Sequence, residues 1–179
     1  MFHTALDLFA ARGFDHVTVE EIAAACDVSP RTFFRYFASK DDVLFAEGDA
    51  LRVRLIELID AQHERASAFQ ALEAALLEVA AHYASQGDML AQRRKIVDAT
   101  PSLQTRSAES KQGWEAEIVA HLRESGRAKR MSDLDLRLTV AVCTDALRTA
   151  IDAWVASDGD NLVKLTRGAF RRLRAGFDG

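Results

Sequence analysis

Only two prolines, Pro30 and Pro101, interrupt the 179 residues of this chain, and nowhere do β-branched and polar residues alternate as a strand requires. Apolar residues recur instead at three- and four-residue spacings, so the sequence predicts an all-α fold. With 49% hydrophobic and 28% charged residues, the chain can bury a core, which sets disorder aside and allows one or two compact units. No apolar run approaches the roughly 20 residues that span a bilayer. The opening MFHTALDLFAARG has neither the basic start nor the cleavage pattern of a secretory leader, so the expected location is the cytoplasm.

Local signals divide the first third of the chain into short helices. Phe2, Leu6 and Phe9 share a face and Gly13 supplies a stop, predicting a helix over 2–12. Thr18 with Glu21 three residues on is a capping box that opens a helix over 19–26. Ser29 followed by Pro30 is a second cap, with proline where its missing N–H costs nothing, opening a helix over 30–36. Ser39 and Asp42 open a long fourth helix through DDVLFAEGDALRVRLIELI. Only Cys26 to Val28 separate the second and third helices, which is the outline of a helix-turn-helix.

Beyond residue 48 the stripes lengthen. Phe69, Leu72, Leu76, Val79 and Tyr83 form one, and Trp114, Ile118 and Leu122 another, with a polar stretch and a bend expected at Pro101 between them. Over 132–155, Leu136, Val140, Cys143, Leu147 and Trp154 run beside Leu134, Leu138 and Ala141, a band wide enough to predict burial against two neighbours. A loop over 157–160 leads to a last helix carrying Val163, Thr166, Phe170, Leu173 and Phe177 in register.

Net charge is −4. Residues 1–47 hold four basic residues, Arg12, Arg31, Arg35 and Lys40, against eight acidic ones, while the remainder holds 19 of each. Any attraction of the head to phosphate must therefore be local rather than global. Cys26 and Cys143 lie far apart, and His3, His16, His63, His82 and His121 lack metal-ligand spacing, so neither a metal nor a cofactor is expected. The sequence offers no nucleophile motif and no glycine-rich phosphate loop, and no enzymatic activity is expected.

The most informative stretch is VSPRTFFRYFASKDD. On a helix starting at Pro30, Phe33 and Phe37 fall on one face as core, leaving Arg31, Thr32, Phe34, Arg35 and Tyr36 around the rest. Two guanidiniums, a hydroxyl and a phenol turned outward from so short a helix suit the reading of base edges and phosphates in a major groove. Phe34 stays open between the groove and a third place in the small core, and capping alone accounts for Thr18.

From Thr4 to about Leu44 the order of parts, LFAARGF, TVEEIA, VS, RTFFRYF and SKDD, resembles the TetR-type transcriptional regulators. That resemblance implies phosphate contacts from Thr18 and Lys40, a major-groove face of Arg31, Thr32, Phe34, Arg35 and Tyr36, and core roles for Phe33 and Phe37. It also implies a helix-turn-helix DNA-binding domain over 1–47 and a larger helical ligand-binding and dimerisation domain over 48–179. The partners implied are operator DNA, a small-molecule effector and a second copy meeting through the last two helices. Where the family commonly has glycine in the turn, this chain has Asp27. The stretch RRKIVDATPSLQTRSAESKQGWEAEIVAHL resembles the subgroup with an MftR-type C-terminal domain, which implies an acyl-CoA-like ligand. His82, Tyr83, Trp114, His121 and Arg148 lie on or beside apolar stripes and are the candidate ligand contacts, with ordinary packing as their alternative. Arg93, Arg94 and Lys95 are either a solvated run or a seat for an anionic head group. The competing reading of the whole chain is a helical ligand-binding or adaptor protein whose head no longer binds DNA.

Overall fold

The computed structural model describes residues 1–157 and 161–176, apart from the side chains of Glu47, Asp49 and Asp88. Among these residues the fold is all-α: α1 (Phe2–Arg12), a 3₁₀ turn (Phe14–His16), α2 (Val19–Ala25), α3 (Pro30–Tyr36), α4 (Asp42–Asp60), α5 (Ala68–Gln86), α6 (Asp88–Ala99), α7 (Pro101–Glu124), α8 (Asp133–Ala156) and α9 (Leu162–Ala175). The expected residues 158–160 of the loop and Phe177 lie outside the described residues.

Most boundaries follow from local chemistry. Gly13, at φ 83°, ends α1. Pro101 does not bend a helix but starts one. Proline disfavours helical backbone in the residue before it, so Thr100 is extended at ψ 107° and closes α6, and Pro101 takes the first position of α7. The polar stretch that follows is helical. Gly87, at φ 51°, separates α5 from α6, a break that side-chain periodicity does not announce.

The chain forms two compact units. One comprises Met1–Ala50 with Gly87–Glu109; the other comprises Leu51–Gln86 with the chain from Ser110 on. The first has a small core of Ala5, Leu6 and Phe9 from α1, Ile22 and Ala23 from α2, Phe33 from α3 and Val43, Leu44 and Phe45 from α4. Ile96, Val97 and Leu103, from α6 and the start of α7, complete it. Gln92 of α6 donates to the Leu6 carbonyl at 3.3 Å.

In the second unit α8 packs against both α5 and α9, as its wide band predicts. Leu136, Val140, Cys143, Leu147 and Ala150 are buried there with Leu72, Ala75, Leu76 and Val79 of α5 and Phe170 of α9. The second stripe of α8 behaves differently: Leu134 is 75% exposed and Leu138 57% exposed in the single chain, because they face away from both neighbours. Burial raises the Cys143 thiol to a pKa of about 12, with the Glu73 carboxylate adding to the rise, so the thiol is not poised as a nucleophile. Among the described residues no helix is long and apolar enough to cross a membrane.

Candidate nucleic-acid interface

The candidate interface comprises α2, the turn after it, and α3. At the start of α2 the capping box is complete: the Glu21 amide donates to Thr18 Oγ1 at 3.2 Å and the Thr18 amide donates to Glu21 Oε2 at 2.8 Å. The Thr18 amide and then the Arg12 guanidinium, 2.7 Å from Glu21 Oε1, hold the Glu21 carboxyl below its usual range.

At the end of α2 the Val28 amide reaches the Ala23 carbonyl at 3.0 Å and the Asp27 amide reaches Ala24 at 3.1 Å. This six-to-one and five-to-two pair requires a left-handed residue between helix and turn. Asp27 fills that place at φ 54°, doing here what glycine does without strain. Val28, packed against the head core, then leads into α3.

Ser29 caps α3 by accepting from the Thr32 amide at 3.1 Å, and its hydroxyl lies 3.0 Å from the Thr32 hydroxyl. Of the seven residues of α3, Phe33 is the one buried. Its ring centre lies 5.3 Å from that of Phe37, which is tilted against it and half-buried just after the helix, and 5.5 Å from that of Phe34, which meets it edge to face. Phe34 and Tyr36 are 53% and 61% exposed, and Arg31 and Arg35 are exposed beside them. Phe34 thus uses one edge against Phe33 and turns the remainder to solvent. Arg35 is held by its neighbour, its Nη2 donating to the Tyr36 hydroxyl at 3.0 Å with the guanidinium carbon 4.8 Å from the ring centre. Thr32 is half-buried with its hydroxyl turned toward Ser29.

Lys40 points inward. Its Nζ donates to the carbonyls of Phe14 at 2.7 Å and Val17 at 2.9 Å and lies 4.1 Å over the Phe14 ring. Beside it, Ser39 and Asp42 cap α4 reciprocally: the Asp42 amide donates to Ser39 Oγ at 3.3 Å and the Ser39 amide to Asp42 Oδ2 at 2.9 Å. Arg106 forks onto Asp41 and Asp42 and lies over the Phe45 ring, while Arg93 donates to the Leu44 carbonyl and also approaches that ring. Burial pushes the Asp41 and Asp42 carboxyls up, but the hydrogen bonds from Ser39 and Arg106 outweigh it and hold both below the usual range. Spacing alone does not reveal the Arg106 fork, which joins residues more than sixty positions apart.

Two family models match this chain: that of the bacterial regulatory proteins of the tetR family over residues 2–46, and that of the MftR C-terminal domain over 66–178. The chain belongs to the TetR family. Its C-terminal part is of the MftR type, and the protein is a TetR-family transcriptional regulator. A Mycobacterium tuberculosis protein designated mycofactocin biosynthesis transcriptional regulator MftR is 29% identical over 97% of this chain and 87% of its own length. Thermus thermophilus FadR, a TetR-family repressor solved in complex with lauroyl-CoA, is 27% identical with a TM-score of 0.62, covering 98% of this chain and 92% of that one. Bacillus subtilis FadR, solved with stearoyl-CoA, shares the fold at a TM-score of 0.69 and 20% identity, covering 98% and 97%.

In this TetR-family chain the five candidate ligand contacts fall into three groups: His82 with Tyr83, His121 on Asp60, and Arg148 joined through Asp145 to the helix of Trp114. His82 is exposed on α5 and its ring lies 6.3 Å from that of half-buried Tyr83. His121 of α7 meets Asp60 of α4, Nε2 to Oδ1 at 2.7 Å. Arg148 is exposed and paired along α8 with Asp145 at 2.9 Å and Asp152 at 3.0 Å. Trp114 is half-buried on the turn of α7 that carries Lys111, and Lys111 reaches Glu115 at 3.0 Å and Asp145 at 3.2 Å. Asp145 therefore links Arg148 to the helix of Trp114. Of the basic run, Arg94 pairs with Asp98 at 3.0 Å and Arg93 is spent on α4.

Proposed function

We propose that this chain is a cytoplasmic, homodimeric repressor that holds operator DNA through α3 and lets go when an acyl-CoA-like effector binds its C-terminal domain. The observation that carries the DNA half is the division of α3. Phe33 anchors it, while Arg31, Phe34, Arg35 and Tyr36 face solvent on a helix capped by Ser29. In this reading Arg31 and Arg35 meet base edges or phosphates, Tyr36 and Phe34 meet thymine methyls and sugar, and Thr18 and Thr32 add hydroxyl contacts.

Dimerisation follows from DNA geometry, since two recognition helices must enter successive major grooves about 34 Å apart. The last two helices are the proposed seam. The exposed Leu134 and Leu138 on α8 give it an apolar strip. The effector proposal rests on the MftR-type C-terminal domain and on the lauroyl-CoA complex of the Thermus relative. Tyr83 and Trp114 suit an acyl chain, with His82 beside Tyr83; His121 and Arg148 would meet the charged end only by leaving Asp60 and Asp145. Release then reflects the effector's preference for the state that spreads the recognition helices.

The test is selection of duplexes from a random DNA pool by the intact protein, followed by fluorescence anisotropy on the enriched sequence. Replacing Arg31 and Arg35 together by alanine is expected to weaken specific binding by at least about thirtyfold, two base contacts at about 1–3 kcal/mol each. Lauroyl-CoA is expected to release the DNA where coenzyme A alone and laurate do not. Undiminished binding by the double variant would remove the assignment. An intact protein that enriches no duplex would return the chain to the adaptor reading, which its acidic head favours.

A further inference from the structure

We propose that Lys40 is a positioning residue for operator binding, acting from inside the head rather than on phosphate. An ammonium has three donors. Two of those on Lys40 end on the Phe14 and Val17 carbonyls, at 2.7 and 2.9 Å, and the Phe14 ring lies 4.1 Å beneath it. Those two carbonyls bracket the 3₁₀ turn that leads into Thr18, and Lys40 itself follows α3. The bond therefore ties position 17 to position 40, closing as a loop the stretch that contains α2, the Asp27 turn and α3.

The same turn is held from its other side. Arg12 Nη2 donates to the His16 carbonyl at 3.2 Å and pairs with Glu21 at 2.7 Å, and Glu21 completes the cap on Thr18. Two of the four cations in the first 47 residues thus bind the head's own carbonyls. Arg31 and Arg35 are the two that α3 turns outward. Clamping both ends of the 18–39 stretch limits how far α3 can tilt or fray before it meets DNA. Part of the ordering cost of binding is therefore met beforehand.

This inference rests on the operator-binding reading, and its test separates the two. Operator affinity of the intact protein is measured on the enriched duplex across a salt series for the native chain, Lys40→Met and Lys40→Gln. Lys40→Met is expected to bind about tenfold more weakly, with an unchanged slope of log affinity against log salt. Lys40→Gln, which keeps a donor for one carbonyl but no charge, is expected to fall between, again without a change of slope. A phosphate contact would instead lower the slope by about 0.9 per protomer in either variant and would overturn the proposal; so would native affinity in both. Hydrogen exchange without DNA gives an independent readout: faster exchange of the α3 amides in the variants is expected, and unchanged exchange defeats the clamp whatever happens with DNA. Faster exchange together with failure to enrich any duplex would overturn the operator reading alone.

Discussion

Phe33 and Phe170 are both fully buried rings, yet the cores around them are held in different ways. Around Phe170 the long helices α5, α8 and α9 lay continuous apolar faces on one another, with Ala71, Ala75 and Ala80 keeping α5 slim where the others pack. Around Phe33 the helices are short. α2 and α3 have seven residues each, below the length at which a helix sustains itself, so caps and cation-to-carbonyl bonds supply what area cannot. Lys40, Arg12 and Arg93 each end on a backbone carbonyl of the head. A small core costs its unit much of its positive charge, which bears directly on how a DNA-binding head with eight acidic residues in its first 47 can work.

The contrast can be broken most forcefully at the two rings. Phe33→Ala and Phe170→Ala are each expected to cost about 3–5 kcal/mol. Native-state hydrogen exchange should show the loss in α2 and α3 for the first and in α5, α8 and α9 for the second. Equal loss of protection everywhere in both variants would erase the distinction between the two cores.

A smaller effect is expected at the polar fastening of α4. Arg106→Ala leaves Asp41 and Asp42 without their shared guanidinium, at about 1–2 kcal/mol for a partly exposed fork. Because both carboxyls are held below their ordinary range, the native fork contributes in full above the aspartate range. That contribution drains away as pH falls through the range toward the lowered values. The difference in urea midpoint between native and Arg106→Ala proteins should therefore narrow from neutral pH to about pH 3; a constant gap would refute the ionic account. Least of all, Asp27→Gly should raise stability by about 0.5–1 kcal/mol by relieving the left-handed turn, whereas Asp27→Val should lower it.

What could be read in advance was local. Thr18 with Glu21, Ser29 with Pro30, and Ser39 with Asp42 are all pairings within three residues, and each forms as its spacing predicts. Asp27 was legible only through the resemblance, which puts glycine at that place in the turn, and it takes the left-handed backbone that glycine would. Unseen were the bonds closed by the fold: Lys40 onto carbonyls 23 and 26 positions earlier, Arg106 onto Asp41 and Asp42, and Ile96, Val97 and Leu103 joining the head core. Periodicity marks these side chains as apolar or charged but carries no information about which distant backbone will receive them. Leu134 and Leu138 show the converse, since their stripe reads as buried and the single chain leaves it bare.

The head's hydrophobic centre borrows Ile96, Val97 and Leu103 from a segment that returns after an excursion of 36 residues through the other unit. Anyone wishing to transplant this operator-reading module onto a foreign sensor would find that cutting after Ala50 carries away an incomplete object. A workable graft would have to import the stretch 87–109 as well, or redesign the greasy patch that its removal uncovers.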